Sequence, residues 1–321
     1  MVAFVVGLAF STEAGNWPSW RGDVAGSGIV RGEKIPLEWG TKKNVRWRVP
    51  LPDRGNSSPI VWGDKVFITQ ATDSDKRRTV MSFDKRTGEL LWRTGVTYTK
   101  AEKTHKTNPY CSGSPATDGR VVVANYASAG VAAYDLEGQQ LWHRKLGPQE
   151  HIWGNGTSPV LFGDLCIVYH GPGPGSSLHA LDKLSGRTVW KRKVEEKNDP
   201  NRVDGFRGGN GAINGAFTTP IIIEVQGRHE LILSEANTLR ALSPEDGSEL
   251  WRCNGLNPLI YTSPVYDGKL VLSLGGYFGA SIAVKPGGSG DVTAKRLWHD
   301  PRSKKNRLGT PVVREDFAYF V

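Results

Sequence analysis

Six times along the chain a small hydroxyl residue stands before a proline and opens a series of short apolar runs. The pairs are Ser58-Pro59, Ser114-Pro115, Ser158-Pro159, Thr219-Pro220, Ser263-Pro264 and Thr310-Pro311, spaced 56, 44, 61, 44 and 47 residues apart. A repeat of that length restricts the fold severely. Each unit is one supersecondary element that cannot bury its apolar faces alone, so it must stack on its neighbours. Length alone suggests about two domains, but a serial repeat argues for one continuous unit.

Each pair is followed by an apolar run, a turn dipeptide and a second apolar run. The turns are Gly63-Asp64, Asp118-Gly119, Gly163-Asp164, Gln226-Gly227, Asp267-Gly268 and Glu315-Asp316. Short apolar runs around such turns predict β-hairpins. A third strand is predicted at residues 80–83, 131–134, 178–181, 239–242 and 281–284. A polar turn comes next, clearest in Asp84-Lys-Arg-Thr-Gly88 and Asp182-Lys-Leu-Ser-Gly186. There the Asp can accept from backbone amides and the Gly supplies positive φ. A fourth strand then carries Trp92, Trp142, Trp190, Trp251 or Trp298. Residues 44–49, around Trp47, read as an orphan fourth strand ahead of the first full repeat.

Four antiparallel strands in roughly 45 residues are the period of a β-propeller blade. The residue before each repeat tryptophan is Leu91, Leu141, Val189, Leu250 or Leu297. Neighbouring strand residues face opposite ways, which predicts that both faces of the fourth strand are buried between blades. A buried Trp removes about 150–250 Å² from water, an upper estimate of roughly 4–6 kcal/mol. The tryptophans at 47, 92, 142, 190, 251 and 298 are therefore read as structural. The residue after each is basic or His, and is read as snorkelling.

Lys and Arg number 41 against 32 Asp and Glu, a surplus of 9. The basic residues are dispersed and no nucleic-acid motif accompanies them, so nucleic acid is not expected as a partner. Cys111, Cys166 and Cys253 form neither a CxxC pair nor a disulfide framework. Residues 1–10 are apolar and lead to Thr12-Glu-Ala14, the pattern of a secretory signal peptide or its remnant. That run is too short to span a bilayer. The expected organisation is a signal segment over 1–14 and one propeller domain over 15–321.

The string Ala/Ser-x-Asp-x-x-Thr/Ser-Gly-x-x-x-Trp resembles the repeat of the pyrroloquinoline-quinone (PQQ) propeller family. It stands here as Ser82-Phe-Asp84-Lys-Arg-Thr-Gly88-Glu-Leu-Leu-Trp92 and Ala180-Leu-Asp182-Lys-Leu-Ser-Gly186-Arg-Thr-Val-Trp190. Copies ending at Trp142, Trp251 and Trp298 depart from it progressively. The opening Asn16-Trp-Pro-Ser-Trp20-Arg-Gly22 is similar to that of secreted members of the family. The resemblance implies an all-β ring of seven or eight blades. The sequence therefore reads as five full blades, a partial sixth and a C-terminal truncation.

The family holds both quinoprotein dehydrogenases, which bind PQQ and calcium at the ring centre, and non-enzymatic propellers, such as the lipoprotein of the outer-membrane β-barrel assembly machinery. No GxxxxGK[ST], HExxH, GxSxG or dinucleotide fingerprint occurs. No two cysteines are adjacent. No catalytic residue or metal ligand is assigned, and no cofactor is expected. Two polar loops lead into inner strands, at residues 150–156 and 204–215. His151, Trp153, Asn155, Asn210 and Asn214, with Tyr110 and Tyr261 at related positions, are the candidate binding residues. The expected function is a secreted or periplasmic scaffold engaging a protein or envelope polymer. A PQQ- and calcium-dependent dehydrogenase is the alternative, and carbohydrate binding through Trp153 is the second.

Overall fold

A computed structural model describes residues 15–30, 35–206, 213–304, 308–315 and 317–320. The predicted signal segment, residues 1–14, lies outside them. The described residues form β-strands and two single-turn 3₁₀ helices. No helix among them is long and apolar enough to cross a membrane.

Five four-stranded antiparallel blades follow one another, each in chain order from its first to its fourth strand, and Gly290–Asp291 adds in parallel to the outer strand of the fourth. Blade 1 is Ile60–Trp62, Lys65–Thr72, Arg77–Asp84 and Leu90–Thr97. Blade 2 is Ala116–Thr117, Val122–Asn125, Val131–Tyr134 and Gln140–Arg144. Blade 3 is Val160–Phe162, Leu165–His170, Ser177–Asp182 and Thr188–Lys193. Blade 4 is Ile221–Val225, Arg228–Glu235, Thr238–Leu242 and Glu249–Asn254. Blade 5 is Val265–Tyr266, Val271–Leu274, Ser281–Val284 and Trp298–Asp300. A further hairpin pairs Val312–Arg314 with Phe317–Tyr319. The chain is thus an all-β propeller of four-stranded antiparallel blades.

The apolar core lies between blades. One buried cluster joins blades 1 and 2, a second joins blades 2 and 3, and the largest runs from blade 3 to blade 5. The predicted hydroxyl-proline pairs connect the same neighbours near the axis. The backbone N–H of Ser58 donates to Ser114 Oγ at 2.9 Å, that of Ser114 to Ser158 Oγ at 2.9 Å, and that of Ser158 to Thr219 Oγ1 at 3.0 Å. Thr219 N–H donates to Ser263 Oγ at 2.8 Å, and Ser263 N–H to Thr310 Oγ1 at 3.1 Å. From Ser114 onward the donor residues are buried, where an orphan would be costly.

The tryptophans link blades at the rim. The indole of Trp47 lies over the turn of blade 1, with Nε1 donating to Lys85 O at 2.9 Å. Trp92 does the same to Leu136 O of blade 2, Trp142 to Lys183 O of blade 3 and Trp190 to Pro244 O of blade 4. The turn glycine is required twice over. Gly88 has φ +76°, and a Cβ there would lie 2.6 Å from Trp47. Trp251 departs from the pattern and donates to the buried Glu230 carboxylate at 2.8 Å. Trp298 is 42% exposed.

Two expectations are corrected. Residues 44–49 are not a strand; they run in irregular conformation, although Trp47 still reaches blade 1. The residues before the tryptophans are not buried between blades: Leu91 is 44% and Val189 54% exposed, and Leu141 and Leu297 are exposed as well. A bulge explains this in blades 1 to 3. Ser82 pairs with Trp92 but Phe83 pairs with Leu90, so Leu91 is the extra residue. The same shift isolates Leu141 and Val189. A bulged residue leaves the alternation that period-two reading assumes. In blade 4 the bulge falls on Leu250, which is half-buried against the largest core.

Residues 16–27 run beside the inner strands. Trp17 and Val61 exchange two backbone hydrogen bonds of 2.8 Å, Thr117 N–H donates to Pro18 O, and Ile222 N–H donates to Val24 O. Arg21 donates from Nη1 to Thr310 O at 3.2 Å and from Nη2 to Pro311 O at 2.6 Å. The opening motif therefore ties blades 1, 2 and 4 and the last hairpin to one hub.

Candidate functional site

The strands that pair with the hub run on from the hydroxyl belt, and the axial loops lead into it. Val61, Thr117 and Ile222 each follow the belt hydroxyl by three residues, whereas Phe217 and Tyr261 precede it by two. The loops that precede the belt form a mouth.

That mouth is aromatic. Trp153 lies 5.2 Å from Phe206, 6.4 Å from Phe217 and 6.0 Å from Tyr261 between ring centres. Phe217 and Tyr261 are nearly parallel at 5.8 Å. His151 meets Trp153 and Phe217 edge-on, and Tyr277 extends the cluster from Phe206. Burial lowers the His151 pKa from its ordinary value, so the ring is neutral at pH 7. All these rings are half-buried, which leaves part of each open to a ligand.

The loops are fixed by polar anchors. Arg202 and Asp204 form a bidentate pair of 2.9 and 2.7 Å, with side chains only 4% and 3% exposed. Arg202 Nη1 also donates to Ile213 O at 2.7 Å. The pair carries Phe206, whose ring lies 5.6 Å from the guanidinium. Asn155 donates to Gly171 O at 2.6 Å and to Gln149 Oε1 at 3.2 Å. Asn108 donates to Trp153 O at 2.6 Å.

Beside the mouth is a cleft of about 620 Å³, bordered by His151, Asn214, Glu196, Lys193 and Lys197. Burial pushes the Glu196 carboxyl above its ordinary value. It accepts from the Tyr169 hydroxyl, from Gly173 N–H at 2.9 Å and from Ala216 N–H at 3.3 Å. Asn214 Nδ2 donates to Glu196 O at 2.9 Å.

The structure thus brings His151, Trp153 and Tyr261 into one cluster and places Asn155 and Asn214 at its supports. Tyr110 is elsewhere: its ring stacks on Arg78 and its hydroxyl donates to Glu102 O at 2.5 Å. Asn210 lies outside the described residues. Sequence reading missed Phe206, Phe217, Tyr277 and Glu196. Phe217 had a usable signal, because it holds the same place before its hydroxyl-proline pair as Tyr261. Glu196 had none, since its partners come from two separate segments, at residues 169–173 and at 216.

PQQ needs cations for its carboxylates, and its calcium needs several converging oxygens. Among the described residues no three His, Cys, Asp or Glu side chains converge as a metal site. Among the described residues, Arg202 lies over the Phe206 ring and is committed to Asp204.

Comparison with known proteins agrees with the fold. The outer membrane protein assembly factor BamB of Alkalilimnicola ehrlichii is 24% identical over 69% of this chain and 49% of its own length. The polyvinylalcohol dehydrogenase of Pseudomonas sp is 22% identical over 56% of this chain and 29% of its own length. The chain thus spans at most about half the length of these curated relatives. The crystal structure of BamB from Moraxella catarrhalis superposes with a TM-score of 0.56 at 18% identity, over 87% of this chain and 72% of that one. With residues 37–171 and 174–320 matching its profile, the chain belongs to the PQQ-like propeller family described as outer membrane protein assembly factor BamB.

Proposed function

We propose that this chain is a non-enzymatic scaffold propeller of the cell envelope, periplasmic or secreted, that engages a protein or envelope polymer through its aromatic mouth. The observation that carries this reading is the mouth itself: a set of half-buried rings beside the polar anchors of Arg202, Asp204, Asn155 and Asn108. Aromatic anchors of this kind supply large contact area at small entropic cost. Membership of the assembly-factor family supports the scaffold role.

The test is capture from detergent-solubilised envelope on the immobilised full chain, run beside Trp153→Ala and Tyr261→Ala. A partner retained by the wild type and lost by both variants, whose melting curves stay close to wild type, is the expected result. Calorimetry with PQQ and calcium tests the dehydrogenase alternative, and no quinone binding is the expected result. Stoichiometric quinone binding tighter than about 1 μM would overturn the scaffold reading.

Carbohydrate binding is the second reading, favoured by the pairing of an aromatic surface with the polar cleft that holds Glu196 and Asn214. A glycan array bound by the wild type and not by Trp153→Ala would identify the polymer as a sugar.

A further inference from the structure

We propose that the buried guanidinium of Arg78 holds a monovalent anion of halide size in a small cavity behind the mouth. Arg78 stands in the third strand of blade 1 between Ala71 and Val96 and is 1% exposed. Its Nη1 donates to Asp75 O. Its face lies 3.9 Å from the Tyr110 ring centre and 5.5 Å from that of Tyr98. Nη2 is buried and has no hydrogen-bond partner. No carboxylate lies within 4 Å of it among the described residues. Among the described residues the other buried cations are matched, Arg202 by Asp204 and Lys183 by Asp118, and the half-buried Arg240 by Glu235.

A desolvated guanidinium without a counter-charge is unfavourable, and two tyrosine faces offset only part of that cost. Arg78 borders a cavity of about 20 Å³, shared with Tyr110, Cys111, Asn125, Gln149 and Asn155. That room holds one atom of the size of water or a halide. A water would complete the hydrogen bond of Nη2 and leave the charge unbalanced. A halide does both. Glu102 also borders the cavity but is engaged by the Tyr98 hydroxyl at 3.3 Å; turned inward, it would be the competing internal counter-ion. The walls come from blades 1 and 2 and from the loops that Asn108 ties to Trp153, so the anion would brace the mouth from behind.

The test uses the full chain in sodium gluconate at constant ionic strength, with chloride added in exchange. Saturable ³⁵Cl line broadening, displaced by bromide and not by acetate, is expected. Saturating chloride should raise the melting temperature of the wild type by about 2–4 °C and leave Arg78→Met unmoved. A crystal grown in bromide should show an anomalous peak within hydrogen-bond distance of Arg78 Nη2. If Arg78→Met does not fold, the bromide map decides alone. Absence of saturable broadening, a map with water or the Glu102 carboxylate in that place, or displacement by acetate would overturn the proposal.

Discussion

Single residues show how little slack the blade junctions have. Gly138 has φ +89°, and a Cβ there would sit 2.6 Å from Trp92. Gly138→Ala is expected to destabilise the chain by about 2–4 kcal/mol, combining backbone strain with overpacking. Gly63→Ala is the comparison, because Gly63 shares the positive φ but has open space where the Cβ would go. Urea unfolding followed by tryptophan fluorescence should separate the two. His170 and His179, both 4% exposed in blade 3, give a second residue-scale expectation. Burial, reinforced by Lys191 and partly offset by the Gly147 and Pro148 carbonyls, pulls His170 down to about 4. Burial, then His170, Lys191 and Arg144, pull His179 down to about 4. Both rings are neutral when folded, while the unfolded chain takes up protons below about pH 6.5. Their contribution is therefore whole above pH 6.5 and is lost as pH falls toward 4, by on the order of 3 kcal/mol per ring as a ceiling. Denaturant midpoints at pH 7 and pH 5 measure it, and His179→Gln should flatten the slope.

Among the elements, the hydroxyl belt does what no single blade can. Ser158 Oγ accepts from Ser114 N–H, and Ser158 N–H donates to Thr219. Ser158→Ala leaves the Ser114 donor buried without an acceptor, with an expected loss of about 1–3 kcal/mol. Ser158→Thr should restore most of it, since Thr219 and Thr310 already serve as acceptors in the same belt. Chemical denaturation of the three proteins decides. Preservation of stability in Ser158→Ala would show that the belt is incidental. The outer strands are looser: their bulges place Leu91, Leu141 and Val189 outward, so polar substitution there is expected to change stability little.

Across the whole molecule the opening motif joins parts of the chain that are far apart in sequence. Arg21 reaches Thr310 and Pro311, while Trp17 pairs with Val61. Arg21→Met should lower hydrogen-exchange protection in the hairpin of Val312–Arg314 and Phe317–Tyr319 while sparing blades 2 and 3. Equal loss everywhere would mean that Arg21 supports the fold generally and does not act through the hub.

What the sequence determined by itself was everything carried by local period. The hydroxyl-proline spacing, the Asp-x-x-Thr-Gly turns and the tryptophans specify strand count, strand order and blade length, because alternation and turn chemistry act over a few residues. His151, Trp153 and Tyr261 were also legible, as bulky residues in loops that lead to inner strands. Only the tertiary structure decided which side chains meet. The bulge that turns Leu91 outward depends on cross-strand register, and the irregular course of residues 44–49 on which strands are there to pair with. Phe206 and Phe217 join Trp153 from different loops, and Tyr110 leaves the mouth to cover Arg78. Glu196 is held by groups from residues 169, 173 and 216. Such contacts depend on how neighbouring blades and their loops dock, and no periodicity within one blade encodes that.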